Sequence, residues 1–134
     1  MTSDRMTKIA AADVLPNRRR GGDLRTLLSP ATAGTTSGFM GVLTLAPGEV
    51  VTEHYHPYSE EFLYLVSGAI TARIDGERVP LAAGEALHLQ PNVRHRLENT
   101  ADTEAFLVFQ LGPLAPRPEL GHVDTEQLPD QAGT

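Results

Sequence analysis

Four residues in this chain combine ligand chemistry with a spacing that can bring them together: His54, His56, Glu61 and His95. His54 and His56 are two apart, so on a strand both imidazoles project from the same side. Pro57-Tyr58-Ser59 then breaks the strand. Glu61 opens the next one, where an antiparallel return sets its carboxylate beside the two rings. His95 follows the Pro91-Asn92 turn on a later strand. Three neutral imidazoles and one carboxylate suit a single divalent ion such as zinc, iron, nickel or manganese. Such a set leaves one or two coordination positions for water or substrate, which catalysis needs. The fragments alone say little, since a single His-x-His is often two surface histidines and a lone glutamate is usually a solvated charge. Glu60 is the competing carboxylate, but strand parity places it with Phe62 on the face opposite Glu61.

Other side chains near this set carry weaker signals. His88 lies in the strand before the turn. It either faces the cavity, as a proton carrier and candidate catalytic residue or an extra ligand, or points outward, and its position leaves both open. Tyr64 has the parity opposite to Glu61 and suits interface packing, and Tyr55 is turned away from the lumen. Arg94 and Arg96 flank His95 and are expected to face outward. Asn99 shares the parity of His95 and suits a buried hydrogen bonder behind the ligands. His122, in the tail, is expected to be solvated. Arg18-Arg19-Arg20 reads as a solvated arm, with contact to an acidic carrier protein as the weaker alternative.

The elements that must position these residues are short and β-favouring. Gly38 to Leu45 stops at Pro47-Gly48, Val50 to His56 at Pro57, and Phe62 to Val66 at Ser67-Gly68. Ala69 to Ile74 and Arg78 to Leu81 flank Asp75-Gly76, a hairpin signal because a type I′ turn needs positive φ at both positions. Ala86 to Leu89, Arg94 to Glu98 and Ala105 to Leu111 complete the set. Evenly spaced short strands predict an all-β antiparallel sandwich or barrel. Asp23 to Leu28 is either a strand or a helical turn. Residues 1–22 read as an N-terminal arm, 23–112 as the barrel, and 113–134 as a Pro-rich tail packing on the barrel or mobile. The strand from Glu61 to Val66 is apolar on both faces, whereas a strand with one wet face should alternate. The second face therefore calls for a cover, and a homodimer is the natural one.

Composition removes several classes. With 134 residues the chain fits one domain. It has no cysteine, which excludes disulfides, thiolate zinc sites and a cysteine nucleophile. A net charge of −6 argues against nucleic acid as partner. No stretch approaches the ~18 apolar residues of a membrane span, and the N-terminus lacks the apolar core of a signal peptide. A cytoplasmic protein is expected.

The segment Gly48-x5-His54-x-His56-x4-Glu61-x6-Gly68 resembles the first cupin motif without deviation. Gly84, His95 and Asn99 keep the spacing of the second motif, while Pro91 comes one residue late and Val93 stands near the usual second glycine. The resemblance implies a cupin double-stranded β-helix, a jelly-roll barrel, as a single domain. The stretch His54-Tyr55-His56-Pro57-Tyr58-Ser59-Glu60-Glu61-Phe62 and the tail Gly112 to Asp124 resemble the small monocupin cyclases of aromatic polyketide pathways. That likeness implies a metal-dependent cyclase, with zinc the leading ion. Its reaction would be aldol cyclisation and dehydration of a poly-β-ketone presented by an acyl carrier protein. Some members carry histidine where this chain has Glu61. An Fe(II) dioxygenase on the same four ligands is the alternative function, and a non-enzymatic ligand-binding cupin the second.

Overall fold

The computed structural model describes residues 5–128. Pro129, part of the expected tail, lies outside the described residues. Ten strands form two five-stranded antiparallel sheets. They are β1 (Asp23–Leu28), β2 (Phe39–Leu45), β3 (Val50–Tyr55), β4 (Glu60–Ser67), β5 (Ala69–Ile74), β6 (Glu77–Ala82), β7 (Ala86–Leu89), β8 (His95–Glu98), β9 (Ala105–Gly112) and β10 (Val123–Asp124). One sheet has the order β1-β2-β9-β4-β7 and the other β10-β3-β8-β5-β6. The fold is all-β, as the turn signals and strand lengths predict, and its two facing sheets make the jelly roll that the cupin resemblance implies. Asp23–Leu28, ambiguous in sequence, is a strand because it finds β2 as a partner along its length.

Alternation builds the core. On β4, Glu61, Leu63 and Leu65 point inward and are buried. β9 sends Leu107, Phe109 and Leu111 the same way, and β2 adds Leu43 and Leu45. Val51, Ile70, Ala72, Leu81 and Leu97 answer from the second sheet. The opposite parity of β4 leaves Phe62, Tyr64 and Val66 at 47%, 46% and 45% exposure. The strand is thus apolar on both faces, and the outer one is open to solvent in the single chain.

Turn chemistry fixes the registers. Asp75 and Gly76 both adopt positive φ, 49° and 86°, and join β5 to β6 as a two-residue hairpin. Gly68 has φ 85°, and a Cβ there would stand 2.6 Å from the Glu104 carbonyl oxygen. Only glycine meets both demands. The departure in the second motif is absorbed by Asn92, which takes the left-handed conformation at φ 71°. Asparagine tolerates that region better than most side chains, so the turn closes without the second glycine.

The described segments before β1 and after β9 both fold against the barrel. After Gly112 the chain makes a 3-10 turn at Pro118–Leu120, and β10 then pairs with β3. On the other side, the Thr52 amide donates to the Arg20 carbonyl oxygen at 2.9 Å. The Arg20 guanidinium meets the Asp124 carboxylate at 2.8 Å, joining the two ends across 104 residues.

Asn99, directly after β8, ties neighbouring loop segments together. It is fully buried and donates to the carbonyls of Leu45 and Thr103 at 2.9 and 2.8 Å, while its oxygen accepts from the Ala101 amide at 3.0 Å. Asn99→Ala should cost roughly 2–4 kcal/mol of unfolding free energy, because three backbone groups lose a partner. Urea denaturation checks this, and a loss under about 0.5 kcal/mol would show that water replaces the amide.

Candidate metal centre

The two sheets contribute different parts of one buried cluster. β3 and the residue following it bring His54 and His56, and β8 brings His95, whose Cα pairs with that of His54. Glu61 comes from β4 in the other sheet, between Leu111 on β9 and Leu89 on β7. The four side chains are buried, at 7%, 8%, 7% and 2% exposure for His54, His56, Glu61 and His95. One ligand atom from each lies within 4.8 Å of all the others.

Backbone carbonyls orient all three rings. His54 Nδ1 lies 2.7 Å from the Thr52 oxygen, His56 Nδ1 2.9 Å from the Gly121 oxygen, and His95 Nδ1 2.9 Å from the Val93 oxygen. A carbonyl can only accept, so each Nδ1 carries the proton and donates. Each Nε2 is left with its lone pair, the form in which imidazole binds a metal. His56 and His95 turn that atom to the same Glu61 oxygen, at 3.2 and 3.0 Å. The short approach of His95 Nε2 to Glu61 Oε1 is not aligned as a hydrogen bond, and both atoms are buried without a hydrogen-bond partner. Buried polar atoms in native proteins are normally paired. Two orphaned donor atoms beside two further imidazoles fit a shared cation.

The electrostatics agree. Burial pushes the His54 imidazole down to about 3, with His95 and His122 adding to the effect, so this ring is neutral near pH 7. Burial opposes ionisation of Glu61, but His56 and His95, where they carry a proton on Nε2, outweigh it and hold the carboxyl well below the usual carboxylate range. Burial likewise works against charge on His95, and Glu61 beside it prevails and raises its proton affinity. A lone buried anion among imidazoles attracts positive charge, supplied either by a proton or by a cation.

The cluster lies in a cavity of about 610 Å³, with Leu43, Val51, Leu63, Leu97 and Phe109 among its apolar walls. This is the size and character of a small-molecule site.

A family model for the cupin domain matches residues 41–110. The chain is a cupin. "Protein SchB" of Streptomyces halstedii is 58% identical over 132 residues, covering 98% of this chain and 96% of its own length. "Tetracenomycin polyketide synthase protein TcmJ" of Streptomyces glaucescens is 54% identical over 125 residues, covering 93% and 84%. Among solved structures, the polyketide cyclase RemF from Streptomyces resistomycificus superposes with a TM-score of 0.70 at 15% identity, over 93% of this chain and 89% of that one. The last likeness concerns fold. The matches to SchB and TcmJ extend over nearly the whole chain.

The structure places the remaining expected site residues differently. His88 points away from the cupin cavity. Because Leu89 registers opposite Glu61, parity turns His88 to the outer face opposite Phe62. There its Nε2 lies 2.6 Å from Glu60 Oε1 and its ring 5.0 Å from that of Phe62. Glu60 is thereby outside the cluster, as parity requires. His122 corrects the expectation of a solvated residue. Its ring stacks on His54 at 4.2 Å and 15°, lines the cavity, and sets Nε2 3.1 Å from Asp124 Oδ1. Burial, Arg20 and His56 push it down to about 4. Arg20 is no free arm residue either, since it holds Asp124 against this ring. The sequence signal that could have found His122 is slight: it lies two positions before Asp124, an imidazole–carboxylate pair in a Pro-rich tail.

Zinc added to metal-stripped protein should raise Tm by roughly 5–15 °C when free metal exceeds Kd about a hundredfold. Glu61→Gln and His95→Ala should abolish most of that rise, and Glu60→Gln should keep it. Calorimetry with each variant is the check, and a Glu60→Gln protein that loses the rise would move the carboxylate ligand by one residue.

Proposed function

We propose that this cupin is a metal-dependent cyclase that closes and dehydrates a ring on a poly-β-ketone in aromatic polyketide synthesis. The observation that carries the reading is the buried set of three Nε2 atoms and one carboxylate inside an apolar cavity. TcmJ's name supports the pathway class, since it identifies a polyketide synthase protein. One divalent ion, zinc first among the candidates, suits three imidazoles and one carboxylate. When bound, it supplies Lewis acidity that polarises a ketone oxygen and steadies enolate charge.

The chain's own residues do the rest. His54, His56, Glu61 and His95 would hold the ion, the three histidines with their Nδ1 atoms tied to backbone carbonyls. Leu43, Leu63, Leu97 and Phe109 exclude water and fold the ketone chain, choosing which carbons meet. His122 is the cavity-lining imidazole outside the cluster, and with Asp124 accepting from Nε2 its Nδ1 keeps a lone pair for the methylene proton. The role earlier open to His88 thus passes to His122. Closure is an aldol addition, and loss of water gives the aromatic ring, with no electrons leaving the substrate. An acyl carrier protein delivers the substrate in the cytoplasm, and two chains pair through the outer face of Phe62, Tyr64 and Val66.

Reconstituted with a minimal aromatic polyketide synthase, the zinc protein should shift products toward one cyclised compound, and His54→Ala should leave the spontaneous mixture. The shift should persist without oxygen. An absolute oxygen requirement for ring formation would reject the cyclase and favour an Fe(II) dioxygenase on the same ligands. His122→Phe should keep the zinc-induced rise in Tm yet slow ring closure by about 10²-fold, the size of a general base's contribution.

Assembly is tested separately. The wild type should scatter light as a dimer at micromolar concentration, and Tyr64→Arg should yield monomers by burying a charge without a partner. A monomeric wild type would remove the dimer from the account.

A further inference from the structure

A second cavity, of about 500 Å³, lies against the metal cavity. It is built between the short helix Pro30–Ala33 and the returning tail, with Pro30 and Ala31 on one side and Leu114, Ala115 and Pro116 on the other. The two cavities share four lining residues: Phe39, His56, Pro118 and His122. The His56 ring is therefore a wall between them, its Nε2 toward Glu61 and its Nδ1 held by the Gly121 carbonyl, whose residue lines the second cavity.

The two compartments differ in chemistry. Arg19, Arg20, Glu61, Glu119 and Asp124 line the metal cavity. The second has no carboxylate, guanidinium or ammonium group in its wall, only small, apolar and hydroxyl side chains besides the two shared imidazoles. A compartment without charge beside a cation site can take the part of a ligand that carries no charge and makes no metal contact. A polyketide that already bears fused rings has such a part, planar and apolar, next to the ketones that still react.

We propose that this second compartment is the subsite for the planar aromatic portion of the substrate, while the reacting β-diketone stays with the cluster. The inference rests on the polyketide reading above. It makes Ala31 and Ala115 residues that set how much fused-ring surface can be accommodated. Neither belongs to the cluster. Ala115 lies close to Gly121, so enlarging it could disturb the His56 carbonyl, and Ala31, exposed on the opposite wall, supplies an independent second variant.

Two probes separate the subsite from the metal site. Acetylacetone is a small β-diketone that reaches only the metal, and 1,8-dihydroxyanthraquinone adds a planar three-ring body to a chelating ketone. Both should bind the zinc-loaded wild type. Ala31→Phe and Ala115→Phe should weaken the anthraquinone by at least about tenfold, equivalent to about 1.4 kcal/mol. For Ala31→Phe, acetylacetone affinity and the zinc-induced rise in Tm should not change. Anthraquinone affinity unaltered in both zinc-competent variants would overturn the subsite and leave the diketone reading standing. Failure of acetylacetone itself to bind the zinc-loaded wild type would overturn that reading, and the subsite with it.

Discussion

The structure turns on one buried carboxylate. Glu61 leaves one sheet and meets His56 and His95 from the other at 3.2 and 3.0 Å. An ionised carboxylate away from water is costly unless positive charge or hydrogen bonds compensate it. The barrel leaves that compensation to a proton or a cation and fixes the geometry that receives it. Pairing of β3 with β8 sets His54 beside His95. Three backbone carbonyls set the tautomers. The apolar walls then make the pocket dry enough for the charge to matter, since Coulomb attraction grows as the effective dielectric falls.

The same strand ties this site to the outer surface. On β4 the period of two sends Glu61, Leu63 and Leu65 inward and Phe62, Tyr64 and Val66 outward. Shifting the register by one residue would exchange the two sets, removing the carboxylate from the cluster and placing Tyr64 in the core. The registers with β7 and β9 are long and antiparallel, interrupted only near Ser67, and the close approach at Gly68 ends the strand there. The ligand and the exposed apolar row are thus consequences of one alignment. Substitutions in the outer row therefore act on the strand that carries Glu61, although none of its side chains touches the cluster.

The cluster was readable in the sequence because each ligand lies on or beside a strand whose parity is set by nearby turn residues. His54 and His56 precede Pro57, Glu61 follows it, and Gly68 fixes the distance to the next turn. The Asp75-Gly76 hairpin was readable for the same local reason. His88 was not, because its direction depends on pairing Leu89 with Glu61 across two strands, a register that spacing along the chain does not contain. His122 was hidden more deeply. It precedes a strand of two residues, β10, and nothing periodic announces it. Its place is decided by Asp124, which Arg20 grips from the other end of the chain. The tail is irregular for much of its length, but irregular backbone can be held tightly when ion pairs and a short ladder anchor it.

That anchoring makes the tail part of the site. Without the Gly121 carbonyl, His56 Nδ1 would have no acceptor there, and the ring could exchange tautomers or rotate away from Glu61. The Arg20–Asp124 pair also keeps His122 stacked on His54. Burial opposes ionisation of Asp124, yet the guanidinium wins and holds its carboxyl below its usual range. The pair is partly exposed, so its direct contribution to stability is small. Its larger effect is positional, because it keeps the tail in place over His54 and His56. Loosening the tail would therefore release His56 and His122 before it unfolded the barrel, since the buried apolar core is drawn from Leu43 to Leu111.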